Sequence, residues 1–301
     1  MQIVNKLRTG GAVPFLALRQ WLLAPVDARV YRAVTISFAV AASALWVDVW
    51  PLRHSLCADT GMFGPSSPKS LELNVFAWAG SEAWVTAWFA TAAVAILGLL
   101  TGIVPRLAAA LVYLWIVSYS HAAPFALGGF DTVFRITAFV LLVSPSTRVW
   151  SWPSRGVGRP IPVSRYGLRL LQWQLMLIYV CTVWLKAPDR YWRNGEVTSY
   201  FGMSLFGRFP DAAFARLGAL DGLLTYATLL VEALVPVLLW VRRSRWVGMA
   251  LGLSMHLGIA VVGKLGLFSL AMLPLYLAFL EDDDLTRCRR AFLRRWPQSR
   301  R

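Results

Sequence analysis

Residues 82–104 read EAWVTAWFATAAVAILGLLTGIV. Glu82 opens the stretch, and no other residue in it is charged. At a helical rise of ~1.5 Å per residue this run reaches ~34 Å, which matches a hydrocarbon core of ~30 Å. It has no polar face of the kind a helix on a soluble core requires. Outward from it, seven further apolar segments lie at residues 33–50, 107–127, 131–149, 167–187, 221–241, 246–263 and 265–281. The segment 131–149 is short and carries Arg135, and the last two are separated only by Gly263, Lys264 and Gly266. The pattern predicts an all-α fold: a polytopic integral membrane bundle of about eight transmembrane helices. Residues 1–32 then form an N-terminal interfacial segment, 33–281 the membrane domain and 282–301 a basic tail.

The composition agrees. Of 301 residues, 57% are hydrophobic and 15% charged, where soluble domains carry about 25% charge. The net charge of +15 does not point to nucleic acid, because the cations sit in short links between apolar segments. With the N-terminus inside, 21 of the 30 Lys and Arg fall on the inner side and seven on the outer; Arg135 and Lys186 remain within the membrane. That bias predicts an even number of crossings, with both termini cytoplasmic. The expected location is a bacterial cytoplasmic membrane, and membrane lipids are the first expected partners. No cleavable signal peptide is expected, since Lys6, Arg8 and Arg19 interrupt the start of the chain and residues 15–25 are too short to span. They suit an interfacial helix, as does the tail with Phe292, Leu293 and Trp296. Trp46, Trp50, Trp84, Trp88, Trp150, Trp152, Trp192, Trp240 and Trp246 lie near segment ends, as an aromatic belt requires. The three cysteines show no metal or disulfide spacing, His54, His121 and His256 show no ligand spacing, and no phosphate-loop, dinucleotide or nucleophile-elbow motif is present. No metal is expected.

Ionisable residues within apolar segments are costly, so each is a candidate functional site. Lys186 ends the segment 167–187, and Tyr179 and Gln172 precede it by sevens, with Thr182 between. These share one helical face, which predicts a polar stripe turned to the protein interior. Lys186 is then either a desolvated base or a lysine reaching for the interface. Glu232 and His256 lie at similar depth in neighbouring segments; they would form either a proton-handling acid–imidazole pair or a buried structural hydrogen bond. Asp131 and Arg135, four apart, suit an ion pair or an anion-binding role on the outer side. The outer loops 51–81 and 188–220 are long enough to be lids, or they are connectors with interfacial helices.

Three stretches carry a family likeness: Lys186-Ala-Pro-Asp-Arg-Tyr-Trp192-Arg-Asn-Gly195, Leu230-Val-Glu232-Ala-Leu-Val-Pro236, and Met255-His256-Leu-Gly258 followed by Leu265-Gly-Leu-Phe268-Ser-Leu270. A fourth is Gly128-Gly-Phe-Asp131-Thr-Val-Phe-Arg135. In order and spacing the chain resembles the HTTM superfamily, the membrane domain shared with vitamin K-dependent γ-glutamyl carboxylase. The resemblance implies a base at Lys186 that deprotonates a reduced quinone of vitamin K or menaquinol type. Oxygenation of the quinol then yields a strong base, which removes the γ-proton of a glutamate before CO₂ adds. His256 and Glu232 would join Lys186 as catalytic residues. Asp131, Arg135, Tyr179 and Trp192 would bind substrate or cofactor, and a secreted peptide or small molecule would be modified from the external side. The carboxylase's lumenal β-rich region has no counterpart here, so capture of substrate by such a region is not expected. Its second functional histidine falls where Phe130 and Asp131 stand. Some relatives resemble proteins needed to mature a secreted toxin peptide. The alternative is therefore a non-enzymatic partner in maturation, export or immunity for such a peptide. A transporter ranks lowest, because no inverted repeat is evident.

Overall fold

The computed structural model describes residues 13–64, 73–145, 161–209 and 216–287. Helix α1 (Val13–Leu23) lies at the position expected for an interfacial helix, with Phe15, Leu16 and Leu18 exposed. A short antiparallel ribbon joins β1 (Pro25–Asp27) to β2 (Pro162–Ser164). This ribbon sets the starts of two long helices side by side, α2 (Ala28–Val49) and α7 (Tyr166–Lys186). Asp27 caps α2, its carboxylate accepting from the Arg29 amide at 2.9 Å. Helix α2 begins five residues before the predicted segment, and so Arg32 is helical and buried rather than part of a polar approach. Its guanidinium donates to the carbonyls of Leu99 and Leu100. These lie in the last turn of α4 (Glu82–Thr101), where the helix has no partners of its own for them.

Beyond α2 a 3₁₀ turn at Pro51 leads into the five-residue α3 (Arg53–Cys57). Val75 and Phe76, in the loop 51–81, are fully buried: Val75 donates to Ser118 Oγ at 3.0 Å and accepts from the Trp84 indole at 2.8 Å. That loop therefore packs back into the bundle. Helix α5 (Pro105–Ala122) follows α4 after a tight turn, and α6 (Gly129–Val143) follows α5. After α7 come two short helices, α8 (Arg190–Asn194) and α9 (Val197–Met203), then α10 (Ala219–Trp240), α11 (Arg245–Val262) and α12 (Phe268–Leu277).

A helix stands at each of the eight predicted segments. Five of them are long and apolar enough to cross a membrane: α2 with its extension to Cys57, α4, α7, α10 and α11. Helix α5 is diluted by Arg106, Ser118, Ser120 and His121. Helix α6 has 15 residues and α12 has 10. The expected segment 131–149 is cut short because Ser144 is extended before Pro145, a position that disfavours helix; residues 146–149 lie outside the described part. At the other site the Gly263–Leu267 turn takes residues expected in the last span, and Gly266 adopts φ +58° there. Val94, Trp184, Leu223, Val237 and Leu257 are exposed apolar residues on the outer faces of long helices, as lipid contact requires. The protein is an integral membrane helical bundle.

Helix α2 packs with α4 and α6, α4 with α5, and α5 with α6; α7, α10 and α11 form a second group. The short α12 joins the groups, contacting α2, α6, α7 and α11, with Met272, Leu275 and Tyr276 fully buried. Cys57 and Cys181 are free thiols, and Cys288 lies outside the described residues.

Candidate functional site

The polar stripe on α7 faces inward, as its spacing predicts. Gln172 and Tyr179 are buried; Gln172 donates to the Ala278 carbonyl at 2.8 Å. At the end of the stripe, Lys186 Nζ meets Glu232 Oε1 of α10 at 2.6 Å. The lysine side chain is 24% exposed and the glutamate 7%. The second carboxylate oxygen, Glu232 Oε2, is buried and has no partner among the described residues. On the other side of the ammonium the Trp192 ring centroid stands 4.4 Å away. Lys186 is thus held by a carboxylate and an aromatic face.

The chain past Lys186 explains how Trp192 gets there. Pro188 stops α7, and Asp189 starts α8 by accepting from the amides of Tyr191 and Trp192 at 3.0 and 3.2 Å. Gly195 ends α8 with φ +77°, and a Cβ there would stand 2.9 Å from Gly222 Cα. Only glycine suits both the left-handed backbone and the close approach to α10. The Tyr226 hydroxyl donates to Arg193 O at 2.7 Å, Asp221 accepts from the Ser199 amide at 3.0 Å and from its hydroxyl, and Thr198 and Thr225 hydroxyls are 3.1 Å apart. This strap closes one side of a cavity of about 420 Å³ whose lining includes Lys186, Glu232, Trp192, Phe201, Thr228 and Met255. A larger groove of about 590 Å³ between α4 and α5 is lined by no ionisable side chain.

His256 does not pair with Glu232, although α10 and α11 pack together as antiparallel neighbours. Glu232 is taken by Lys186, and His256 Nε2 lies 3.0 Å from the Tyr179 hydroxyl, which in turn bonds the Tyr276 hydroxyl. His256 Nδ1 is buried without a partner among the described residues. Helix α12 completes this cluster: Ser269 donates to the His256 carbonyl at 2.8 Å, and the Phe268 ring centroid lies 5.5 Å from the imidazole. A Cβ on Gly252 would overlap the Tyr276 hydroxyl, so glycine makes room for the network. Tyr276 escaped the sequence reading because a lone tyrosine in an apolar run carries no spacing signal.

Asp131 and Arg135 do not form the expected ion pair. Asp131 Oδ2 accepts from the Gly128 amide at 2.6 Å, capping α6 in place of a salt bridge, and Arg135 bonds Thr132 Oγ1 at 3.3 Å. Neither lines the Lys186 cavity, and nor do Tyr179 and His256. Among the described residues no group of three His, Cys, Asp or Glu side chains could hold a metal ion.

The four quoted stretches thus converge in pairs. Lys186 meets Glu232 and Trp192, while His256 meets Phe268 and Ser269; Phe130 packs where a Cβ on Gly266 would stand. The HTTM domain family matches residues 23–283. The chain belongs to the HTTM family. No curated protein and no solved structure matches the chain. Membership covers the bundle from α1's last residue to beyond α12, so the Lys186 cavity and the His256 cluster both lie inside the HTTM domain.

Proposed function

We propose that this HTTM protein binds a reduced lipid quinone in the Lys186 cavity, with Lys186 as base, and modifies a peptide or small substrate from the external side. The observation that carries the reading is Lys186 Nζ at 2.6 Å from Glu232 in a cavity of about 420 Å³, the size class of small-molecule sites. The lining suits the group: Trp192, Phe201, Met255 and Ile259 offer apolar faces to a ring, and the orphaned Glu232 Oε2 offers an acceptor to a ring hydroxyl. A reduced quinone supplies an acidic ring hydroxyl and, once ionised, electrons. For Lys186 to take a proton it must first lose one, and Glu232 is the acceptor within hydrogen-bond distance. Trp192 then holds the lysine over the cavity, while the apolar lining keeps water from competing.

Eight crossings, with both termini on the inner side of a bacterial cytoplasmic membrane, complete the proposal. The cation bias and the eight helices at the eight predicted segments support it. The cavity then opens on the outer side, where α7 ends. The ion pair also favours the alternative of a non-enzymatic partner in peptide maturation, export or immunity, because a neutralised lysine serves equally well as a binding group.

The test uses purified full-length protein in detergent with menaquinol and oxygen. The native protein quenches Trp fluorescence on binding and turns over the quinol. Lys186→Ala binds it but loses roughly 10²–10⁴-fold in turnover, the usual share of a general base. Turnover equal to wild type in Lys186→Ala refutes the base role, and an absence of quinone binding by the native protein refutes the quinol reading.

A further inference from the structure

The opposite end of α7 holds a second cluster of charge. Helix α7 is 21 residues long, so its start lies ~30 Å from Lys186. There Arg165, Arg169, Arg242 and Arg245 line a small cavity of about 50 Å³ together with Trp240 and Glu281. Two of the arginines have their charge answered. Arg245 meets Asp284 at 2.6 Å and Glu281 at 3.0 Å, and Arg242 meets Asp283 at 2.7 Å.

Arg165 and Arg169 have no carboxylate within 4.0 Å among the described residues. The Nε of each is buried and unpartnered. Among the described residues the Arg169 guanidinium bonds the neutral Gln172 Oε1, at 2.8 Å, and no other side chain. The two stand one turn apart, ~5–6 Å between Cβ atoms, and reinforce each other's field. They also stand at the N-terminal end of α7, Arg165 as its N-cap, where the helix dipole disfavours cations. Glu281 lines the same cavity and acts on Arg169 at longer range, but it already pairs with Arg242 and Arg245, so the two arginines leave the cavity with an excess of positive charge suited to an anion.

The surroundings say which anion. The Arg169 guanidinium lies 4.2 Å over Trp21, which stacks on Trp240 at 5.7 Å. Tryptophans of this kind mark headgroup depth. Trp21 belongs to α1, whose exposed Phe15, Leu16 and Leu18 offer apolar surface to acyl chains. A free phosphate would need the arginines alone and would have no use for α1.

We infer that Arg165 and Arg169 form a specific site for the phosphodiester of an anionic phospholipid, with α1 and the Trp21–Trp240 stack flanking its chains. Basic pockets between membrane helices take lipid headgroups in this way. The site stands apart from the Lys186 cavity and does not depend on what that cavity does.

Native mass spectrometry of the full-length protein in neutral detergent tests it, with equal phosphatidylglycerol and phosphatidylcholine supplied. The native protein retains phosphatidylglycerol in preference. Arg165→Gln and Arg169→Gln each lower that retention about fivefold. Arg243→Gln, an exposed charge outside the cavity, leaves it unchanged. If Arg169→Gln unfolds through loss of its stack on Trp21, Arg165→Gln still reads the site. Retention unaltered in Arg165→Gln overturns the proposal. So does complete displacement of the lipid by millimolar inorganic phosphate, which would make this a free-anion site.

Discussion

Lys186 and Glu232 sit in a place where neither is affordable alone. Removing one partner of a buried pair leaves an uncompensated charge, whereas replacing both by apolar groups is often close to neutral. Glu232→Leu should therefore cost about 2 kcal/mol, below the ~3–5 kcal/mol of a fully buried pair because Lys186 keeps 24% of its side-chain surface in contact with solvent. Lys186→Met with Glu232→Leu should be more stable than Glu232→Leu alone, and thermal unfolding in detergent, run as a double-mutant cycle, reads the difference. Gly252→Ala should cost about 1–3 kcal/mol by driving the Tyr276 hydroxyl out of its bond to Tyr179; the same melts measure it. The inward face of Lys186, Tyr179 and Gln172 was legible, because a spacing of seven returns a residue to the same side of a helix. The partners were not. Spacing along one helix says nothing of which residue a neighbouring helix presents, so similar depth suggests His256 as a partner for Glu232, while the structure gives it Lys186. Asp131 misled for a related reason: its four-residue spacing to Arg135 suits a pair, but an acid at the third position of a helix competes for its own backbone amides.

At the scale of elements, the α8–α9 strap is tied to α10 by side-chain hydrogen bonds from Asp221, Thr225 and Tyr226. Asp221 receives both the amide and the hydroxyl of Ser199. Asp221→Ala should remove that hold at a cost of about 1–2 kcal/mol. It should raise hydrogen exchange across residues 197–203 while leaving the middle of α10 protected, as exchange mass spectrometry would show. Unchanged protection in α9 would mean that Thr225 and Gly222 suffice to hold the strap. The sequence shows the outer loop 188–220 only as a mix of aromatics, Gly, Pro and charge. Its short helices depend on Asp189 as cap and Gly195 as stop, and their seat on α10 depends on tertiary contact. The long apolar helices were legible, since a continuous apolar run over this length has few other uses. Helix ends were less so: the Ser144–Pro145 break and the Gly266 turn are set by one or two residues that hydropathy averages away.

For the whole molecule, the proposed eight-crossing topology predicts that fluorescent proteins fused to Met1 and to Arg301 both fold and fluoresce, as they do only in the cytoplasm. A dark C-terminal fusion beside a bright N-terminal one would mean that one helix, α6 or α12 by length, does not cross. The placement of α12 carries a further consequence, which concerns biogenesis. Of the eight helices at the predicted segments it is the last to leave the ribosome and the one that lies at the centre, against α2, α6, α7 and α11. At a synthesis rate of ~5–20 residues per second, the earlier helices wait seconds in the bilayer with the slot for Met272, Leu275 and Tyr276 unfilled. Until then His256 lacks the Ser269 and Phe268 contacts, and Tyr179 lacks Tyr276. A chain interrupted before residue 268 would therefore be inserted yet unfinished, with an open seam that membrane proteases and chaperones can recognise. The arrival of ten residues is what turns a set of inserted helices into a closed protein.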